Sequence, residues 1–290
     1  MHPFINFFGW FELPGMGFSI LCGTIAAFAL LWFLRKKTPI APQHILDGLI
    51  WTICLGFVGM KLLFWIVTPP AFPKTWADVL SLLSEGMVFY GGLIGGVLGI
   101  FICARARKIP FADYGDLFAP AFCLAHAGGR VGCFLAGCCY GMEYEGACAV
   151  HLNGVSRLPV QLMEAGFLVL LSAGLVWLFL RFKRRGLVTG VYMIAYAVWR
   201  FIIEFFRADA VRGFVGALST SQFISIFILL VGLGFVLYSI KIAKKADCEA
   251  EALPQETADE ELPETDAETD EEAAANAVDM AEPEGENPEN

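Results

Sequence analysis

The sequence predicts an all-α, polytopic membrane protein with seven transmembrane helices, an N-terminus outside the cell and a cytoplasmic C-terminus. Of its 290 residues, 57% are hydrophobic and only 17% are charged. A soluble domain of this length has too little interior to bury so much apolar surface, so lipid must solvate part of the chain. Seven apolar stretches of about 18–23 residues reach the length that the core of a bilayer requires.

Each apolar stretch is predicted to be a helix, because backbone polar groups in lipid need hydrogen-bond partners within their own segment. The stretches cover residues 17–34, 46–68, 87–104, 117–137, 160–180, 187–206 and 219–240. The fourth is the least regular, since it contains the glycines Gly128, Gly129, Gly132 and Gly137.

Lysine and arginine residues orient these helices. Thirteen of them follow the first, third, fifth and seventh stretches, whereas the loops on the opposite side contain four. The positive-inside rule therefore places the N-terminus outside and the C-terminus in the cytoplasm. We expect a multi-pass protein of the bacterial plasma (inner) membrane.

The acidic residues divide the chain into two predicted domains, a transmembrane domain at 1–245 and a cytoplasmic tail at 246–290. Residues 247–290 contain 18 Asp and Glu and no Lys or Arg, so residues 1–246 carry the remaining 11 acids and all 20 basic residues. The tail has too few large apolar side chains to form a core, so we expect it to be disordered.

Charges inside the apolar stretches are candidates for function, because a charge at mid-bilayer costs at least ~2.5–3.5 kcal/mol. In the sixth stretch, Tyr196, Arg200 and Glu204 are spaced four residues apart and share one helix face. This spacing predicts either a polar site or a structural ion pair that fixes helix packing.

Glycine-rich segments surround two further candidates. Arg130 lies between Gly129 and Gly132, where a backbone or a ligand can approach closely, and its forked cation suits a phosphodiester. The alternative to a ligand site is that these small residues pack the helix closely against a neighbouring helix, while the arginine side chain extends outward. Tyr90 begins a glycine-rich run that ends at Gly96. Such a run by itself is also typical of packed membrane helices.

Together these segments resemble the prolipoprotein diacylglyceryl transferase family. The family's His-Gly-Gly-Leu-Ile-Gly segment is similar to residues 90–95. Its Gly-Arg-x-Gly-Asn-Phe-x-Asn-x-Glu-x-x-Gly signature is similar to residues 129–141, and its Tyr-x3-Arg-x3-Glu-Phe-x-Arg run to residues 196–207. The resemblance covers about residues 12–240, and the family's seven-helix topology agrees with the hydropathy pattern.

The chain departs from the family pattern at several polar positions. Tyr90 replaces the usual histidine, and Cys133 and Cys138 replace an asparagine and a glutamate. The arginines and Glu204 are kept. These changes favour either a divergent transferase or a homologue that has been repurposed to bind or transport a small anion or a sulfur compound. A structural scaffold whose acidic tail recruits a basic partner is a third alternative.

The resemblance implies transfer of diacylglyceryl from phosphatidylglycerol to the lipobox cysteine of a prolipoprotein signal peptide, with release of glycerol phosphate. Membrane lipid and a prolipoprotein are the expected partners, with no cofactor, metal or nucleic acid. The implied catalytic residues are Arg130 and Arg200, which would stabilise the leaving phosphate, and Tyr90, which would position the substrate. A phenol is a poor base near neutral pH, so no base is assigned. The implied substrate-binding residues are Gly91, Gly92, Gly129, Gly132, Cys133, Gly141, Tyr196, Glu204 and Arg207.

Four cysteines lie at or beyond the end of the fourth stretch: Cys133, Cys138, Cys139 and Cys148. A disulfide between Cys148 and either Cys138 or Cys139 is one interpretation, because the outer compartment permits disulfides. Thiols that pack as small residues are the other main interpretation. The spacing matches no common zinc motif, so no metal site is predicted.

Overall fold

A computed structural model describes residues 4–7, 11–68, 75–76, 86, 88–152, 154–208, 214–216 and 218–251. This part of the chain forms seven long helices and three two-stranded antiparallel hairpins. All seven helices are long and apolar enough to cross a membrane, which confirms the predicted all-α polytopic fold. Large apolar side chains point outward from them, such as Leu170, which is 74% exposed and suited to contact with lipid.

The helices are α1 (Gly15–Leu34), α2 (Pro42–Val67), α3 (Phe89–Arg107), α4 (Phe111–Leu135), α5 (Val160–Arg181), α6 (Leu187–Ile203) and α7 (Thr220–Glu251). Short 3-10 turns extend α1 over Arg35–Lys37 and α6 over Glu204–Phe206. The hairpins pair β1 (Phe4–Phe7) with β2 (Phe11–Pro14), β3 (Val150–Leu152) with β4 (Val155–Arg157), and β5 (Phe214–Val215) with β6 (Leu218–Ser219).

Helix ends differ from the predicted ends for identifiable reasons. Helix α2 begins at Pro42 rather than at residue 46, because the fixed φ of proline suits the first helical position. Helix α4 begins at Phe111, directly after Pro110, and continues without a break to Leu135 despite its glycines. Helix α7 continues to Glu251. The predicted tail beyond that residue lies outside the described part of the chain.

Glycines bring pairs of helices together at close range. Helix α2 packs against α3, and a Cβ atom on Gly91 would collide with the carbonyl oxygen of Gly59. Helix α1 packs against α4, where Ser19 Oγ donates a 2.7 Å hydrogen bond to the carbonyl of Gly128. These contacts leave α4 in the middle of the bundle, beside α5 and α6.

A buried carboxylate fixes the start of α6 against α4. Asp116 of α4 accepts hydrogen bonds from the backbone N–H groups of Gly186 (2.6 Å) and Thr189 (2.8 Å), and from the Thr189 hydroxyl (2.7 Å). The first N–H groups of a helix have no partner within the helix, so this carboxylate caps α6 from another helix.

We expect Asp116→Ala to lower the free energy of unfolding by about 2–3 kcal/mol, because three donors, one of them buried and two partly buried, lose a charged acceptor. Tryptophan fluorescence during thermal and denaturant unfolding in detergent measures the loss. Asp113→Ala is the matched control, since Asp113 pairs instead with the exposed Arg185 at 3.1 Å. An equal loss in the two variants would contradict the capping role.

Candidate active site

Charged and polar side chains from three helices meet in the interior around Glu164 of α5. Its carboxylate oxygen Oε1 lies 3.0 Å from Arg130 Nη2 of α4 and accepts a 3.2 Å hydrogen bond from the Tyr196 hydroxyl of α6. His126 Nε2 lies 3.9 Å from the same oxygen. The Glu164 side chain is only 2% exposed, so this carboxylate depends on these partners to offset its desolvation.

A second ion pair lies further along α6. Arg200 Nη2 is 2.9 Å from Glu204 Oε2 and also donates a 2.9 Å hydrogen bond to Ser221 Oγ of α7. Both charged side chains are buried, and the predicted spacing of four residues does bring them together. The sixth stretch therefore contains an ion pair that also connects two helices.

Both arginines keep buried donors that have no hydrogen-bond partner among the described residues. These donors are Nε of Arg130 and Nη1 of Arg200. Leaving a buried donor of a charged group unpaired is costly, so native interiors rarely contain one without a reason. The two guanidinium groups can therefore accept a further anion without giving up their carboxylates.

His126 sits in an aromatic enclosure beside this network. Its ring centroid lies 5.3 Å from that of Tyr196, 5.5 Å from Phe89 and 5.9 Å from Phe122. The side chain is 7% exposed, and Nδ1 has no hydrogen-bond partner within the described residues. A buried imidazole with one free ring nitrogen can take up a proton there.

Tyr90 lies beside this enclosure rather than within the charged network. It is half-buried in the first turn of α3, next to Phe89, whose ring stacks on His126. Among the described residues, no hydrogen bond joins Tyr90 to the buried charges. Its ring packs against that of Phe89 at 6.1 Å between centroids, so its predicted catalytic role stays a prediction.

The predicted glycines occupy different surroundings. Gly91 and Gly92 face α2, where Cβ atoms would collide with Gly59 and Met60. Gly132 faces Met16 of α1. A Cβ atom on Gly129 would meet nothing within 4 Å, so this position borders open space.

Gly141 and Arg207 lie together where the loop between α4 and α5 meets the end of α6. Their backbones form an antiparallel bridge, and Met142 N–H donates a 2.9 Å hydrogen bond to the Phe206 carbonyl. A Cβ atom on Gly141 would lie 2.5 Å from the carbonyl oxygen of Leu158. Glycine is therefore needed at this junction for packing.

Sequence reasoning missed two central residues, His126 and Glu164. Each of these residues has a sequence feature that could have indicated a place in the site. His126 precedes Arg130 by four residues and so shares its helix face, and Glu164 is an acid one turn inside an apolar stretch.

Among the described residues, the cysteines after α4 are unpaired in the structure, so neither predicted pairing of Cys148 is present there. Cys138, Cys139 and Cys148 are free thiols, and Cys138 and Cys139 turn back toward Cys133 instead. A hydrogen bond from Cys133 and the charges of Arg207 and Arg130 lower the pKa of Cys139 to about 5, although burial opposes this shift. Burial raises the pKa of Cys138.

Comparison with known proteins identifies clear relatives. The family model described as prolipoprotein diacylglyceryl transferase matches residues 3–238. Phosphatidylglycerol–prolipoprotein diacylglyceryl transferase 2 of Clostridium perfringens is 36% identical over 242 residues, covering 80% of this chain and 93% of the relative. The Clostridium tetani transferase is 35% identical, covering 77% and 91% of the two chains. The Finegoldia magna transferase is 32% identical, covering 81% and 93%.

Proposed function

This chain belongs to the prolipoprotein diacylglyceryl transferase family, and we propose that it transfers diacylglyceryl from phosphatidylglycerol to the lipobox cysteine of a prolipoprotein. The family resemblance of the three sequence motifs is thereby confirmed. The chain is a multi-pass protein of the bacterial inner membrane. The observation that carries the proposal is a pair of buried arginines inside a membrane-spanning bundle, each with a donor that has no hydrogen-bond partner among the described residues.

The proposed reaction is a displacement at the glyceryl carbon that carries the phosphate ester. The cysteine sulfur forms a bond to this carbon, and the bond from the carbon to the phosphate oxygen breaks. Glycerol phosphate leaves with the electron pair, and the thiol proton passes to a base. No oxidant, reductant or cofactor enters this balance.

The two arginines suit the departure of the phosphate. Negative charge grows on the leaving oxygen, and fixed guanidinium donors stabilise it more strongly in a buried site than in water. Arg130 and Arg200 are already oriented by Glu164 and Glu204, so little reorganisation is needed when the phosphodiester binds.

His126 is the best-placed base for the thiol proton. It is buried beside Arg130 and Tyr196, and its Nδ1, which no described residue hydrogen-bonds, can accept a proton. Glu164, whose Oε1 lies 3.9 Å from Nε2, partly offsets the repulsion between Arg130 and the imidazolium that results. We therefore assign His126 the role that sequence reasoning left open, with Tyr90 positioning substrate next to it.

The proposal is tested with purified full-length protein, phosphatidylglycerol and a synthetic lipobox peptide in detergent. We expect a diacylglyceryl thioether on the peptide, detected by mass spectrometry, and none on the same peptide with serine in place of cysteine. Absence of product under conditions in which the Clostridium perfringens relative forms it would refute the transferase assignment.

We expect His126→Asn to reduce kcat about 100-fold with little change in KM for phosphatidylglycerol, because asparagine fills the space but is not a base. The decline of kcat toward acid pH should also disappear in this variant. His44→Asn is the matched control, since His44 pairs with Asp47 at 3.4 Å near the start of α2, outside the site. Wild-type kcat and pH profile in His126→Asn would exclude His126 as the base.

A further inference from the structure

Three thiols meet where α4 ends. Cys133 lies in the last turn of α4, and Cys138 and Cys139 follow in the turn after it, with the three sulfur atoms within 4.8 Å of one another. Within the described part of the chain, no other group of His, Cys, Asp and Glu side chains converges in this way. The spacing of these cysteines did not predict the convergence.

The backbone holds this arrangement in place. Gly137 and Cys139 adopt positive φ angles of 69° and 59°, which fold the chain back over the end of the helix. Cys138 N–H donates a 3.1 Å hydrogen bond to the Cys133 carbonyl. From α5, the buried Gln161 donates a 2.7 Å hydrogen bond to the Cys138 carbonyl. The thiols are thus positioned by two helices rather than by a free loop.

The distances are close to those that a metal requires. Zinc binds thiolate sulfur at about 2.3 Å, so the sulfur atoms of a tetrahedral site are about 3.8 Å apart. Sulfur atoms already within 4.8 Å need to close by at most about 1 Å, which side-chain rotation can supply.

The charges around the three thiols are also compatible with a bound divalent cation. Three thiolates and one divalent cation have a net charge of −1, and Arg130 and Arg207 contribute positive charge to the cluster. Cys133 and Cys139 are half-buried and Cys138 is exposed, so an ion can enter from solvent. Three protein ligands leave one tetrahedral position for a water molecule or another small ligand, as in open zinc sites.

We propose that Cys133, Cys138 and Cys139 form a binding site for one thiophilic d10 cation of the Zn²⁺ class. This proposal departs from the sequence-based prediction of no metal. It is independent of the proposed transferase activity, because the three sulfur atoms and their positions do not depend on which substrate the protein uses.

Co²⁺ titration of the purified, fully reduced full-length protein tests the site, because tetrahedral thiolate complexes of this ion absorb visible light. We expect one Co²⁺ per chain with a thiolate charge-transfer band, and loss of the band when Zn²⁺ is added. Cys133→Ser, Cys138→Ser and Cys139→Ser should each weaken binding at least about tenfold. Cys148→Ser is the matched control, since Cys148 is an exposed thiol outside the cluster.

A second measurement needs no variant and so is unaffected by misfolding. Zn²⁺ should protect Cys138 of the wild-type protein from maleimide labelling, while labelling of Cys148 proceeds at the same rate. Absence of a thiolate band in reduced wild-type protein would overturn the proposal. Equal labelling of Cys138 with and without Zn²⁺, or equal loss of binding in Cys148→Ser, would also overturn it.

Discussion

Arg200→Ala is expected to reduce kcat for diacylglyceryl transfer about 1000-fold. Arg200 is buried and pairs with Glu204 at 2.9 Å, and its Nη1, which has no hydrogen-bond partner within the described residues, is available to the phosphate. Removing one preorganised donor from a site where charge develops costs about 10²–10³ in rate, and here the Glu204 carboxylate, having lost its ion pair with Arg200, would also repel the phosphate. Initial rates with a lipobox peptide measure the loss.

Arg105→Ala is the control for this variant, because Arg105 is exposed in the last turn of α3. It should retain wild-type rates. Arg200→Lys keeps the charge but not the forked donor, so we expect an intermediate rate. Near-normal turnover in a folded Arg200→Ala protein would remove Arg200 from the active site.

Glu164→Ala is expected to have the largest effect on stability, lowering the free energy of unfolding by about 3–5 kcal/mol. The change leaves the Arg130 guanidinium and the Tyr196 hydroxyl in the interior without the acceptor they share. Breaking a buried ion pair on one side costs this much because the remaining charge stays desolvated. Denaturant unfolding in mixed micelles measures the difference.

Two further variants identify the cause of the expected loss of stability in Glu164→Ala. Glu164→Gln keeps an acceptor oxygen without the charge and should lose clearly less stability than the alanine variant. Glu143→Ala removes a carboxylate that is 73% exposed and 3.6 Å from Arg157, so a loss below about 1 kcal/mol is expected. If Glu164→Ala and Glu143→Ala unfolded alike, Glu164 would not organise the buried network.

The fold could be predicted from sequence because the bilayer restricts the alternatives. Apolar length alone identified all seven helices, including α4, although its glycines had made this stretch the least regular. Helix ends were less predictable. The early start of α2 depends on Pro42, and the extension of α7 depends on residues that carry no apolar signal.

The contacts within the candidate site were predictable only where both residues lie on one helix. The Arg200–Glu204 pair followed from a spacing of four residues, because helix geometry fixes that contact. The contact between Arg130 and Glu164 joins α4 to α5 and depends on how those helices pack, which spacing does not encode. The convergence of the three thiols depends on positive φ angles at Gly137 and Cys139, again a feature of tertiary structure.

The equal number of arginines and glutamates in the two buried ion pairs has a consequence for turnover. Arg130 with Glu164 and Arg200 with Glu204 sum to no net charge when all four are ionised. A phosphodiester brings one negative charge to this balance, whereas a phosphate monoester near neutral pH carries about −1.5 to −2. The product is therefore repelled more strongly by the two carboxylates than the substrate is. The carboxylates that orient the two arginines therefore also favour release of the product.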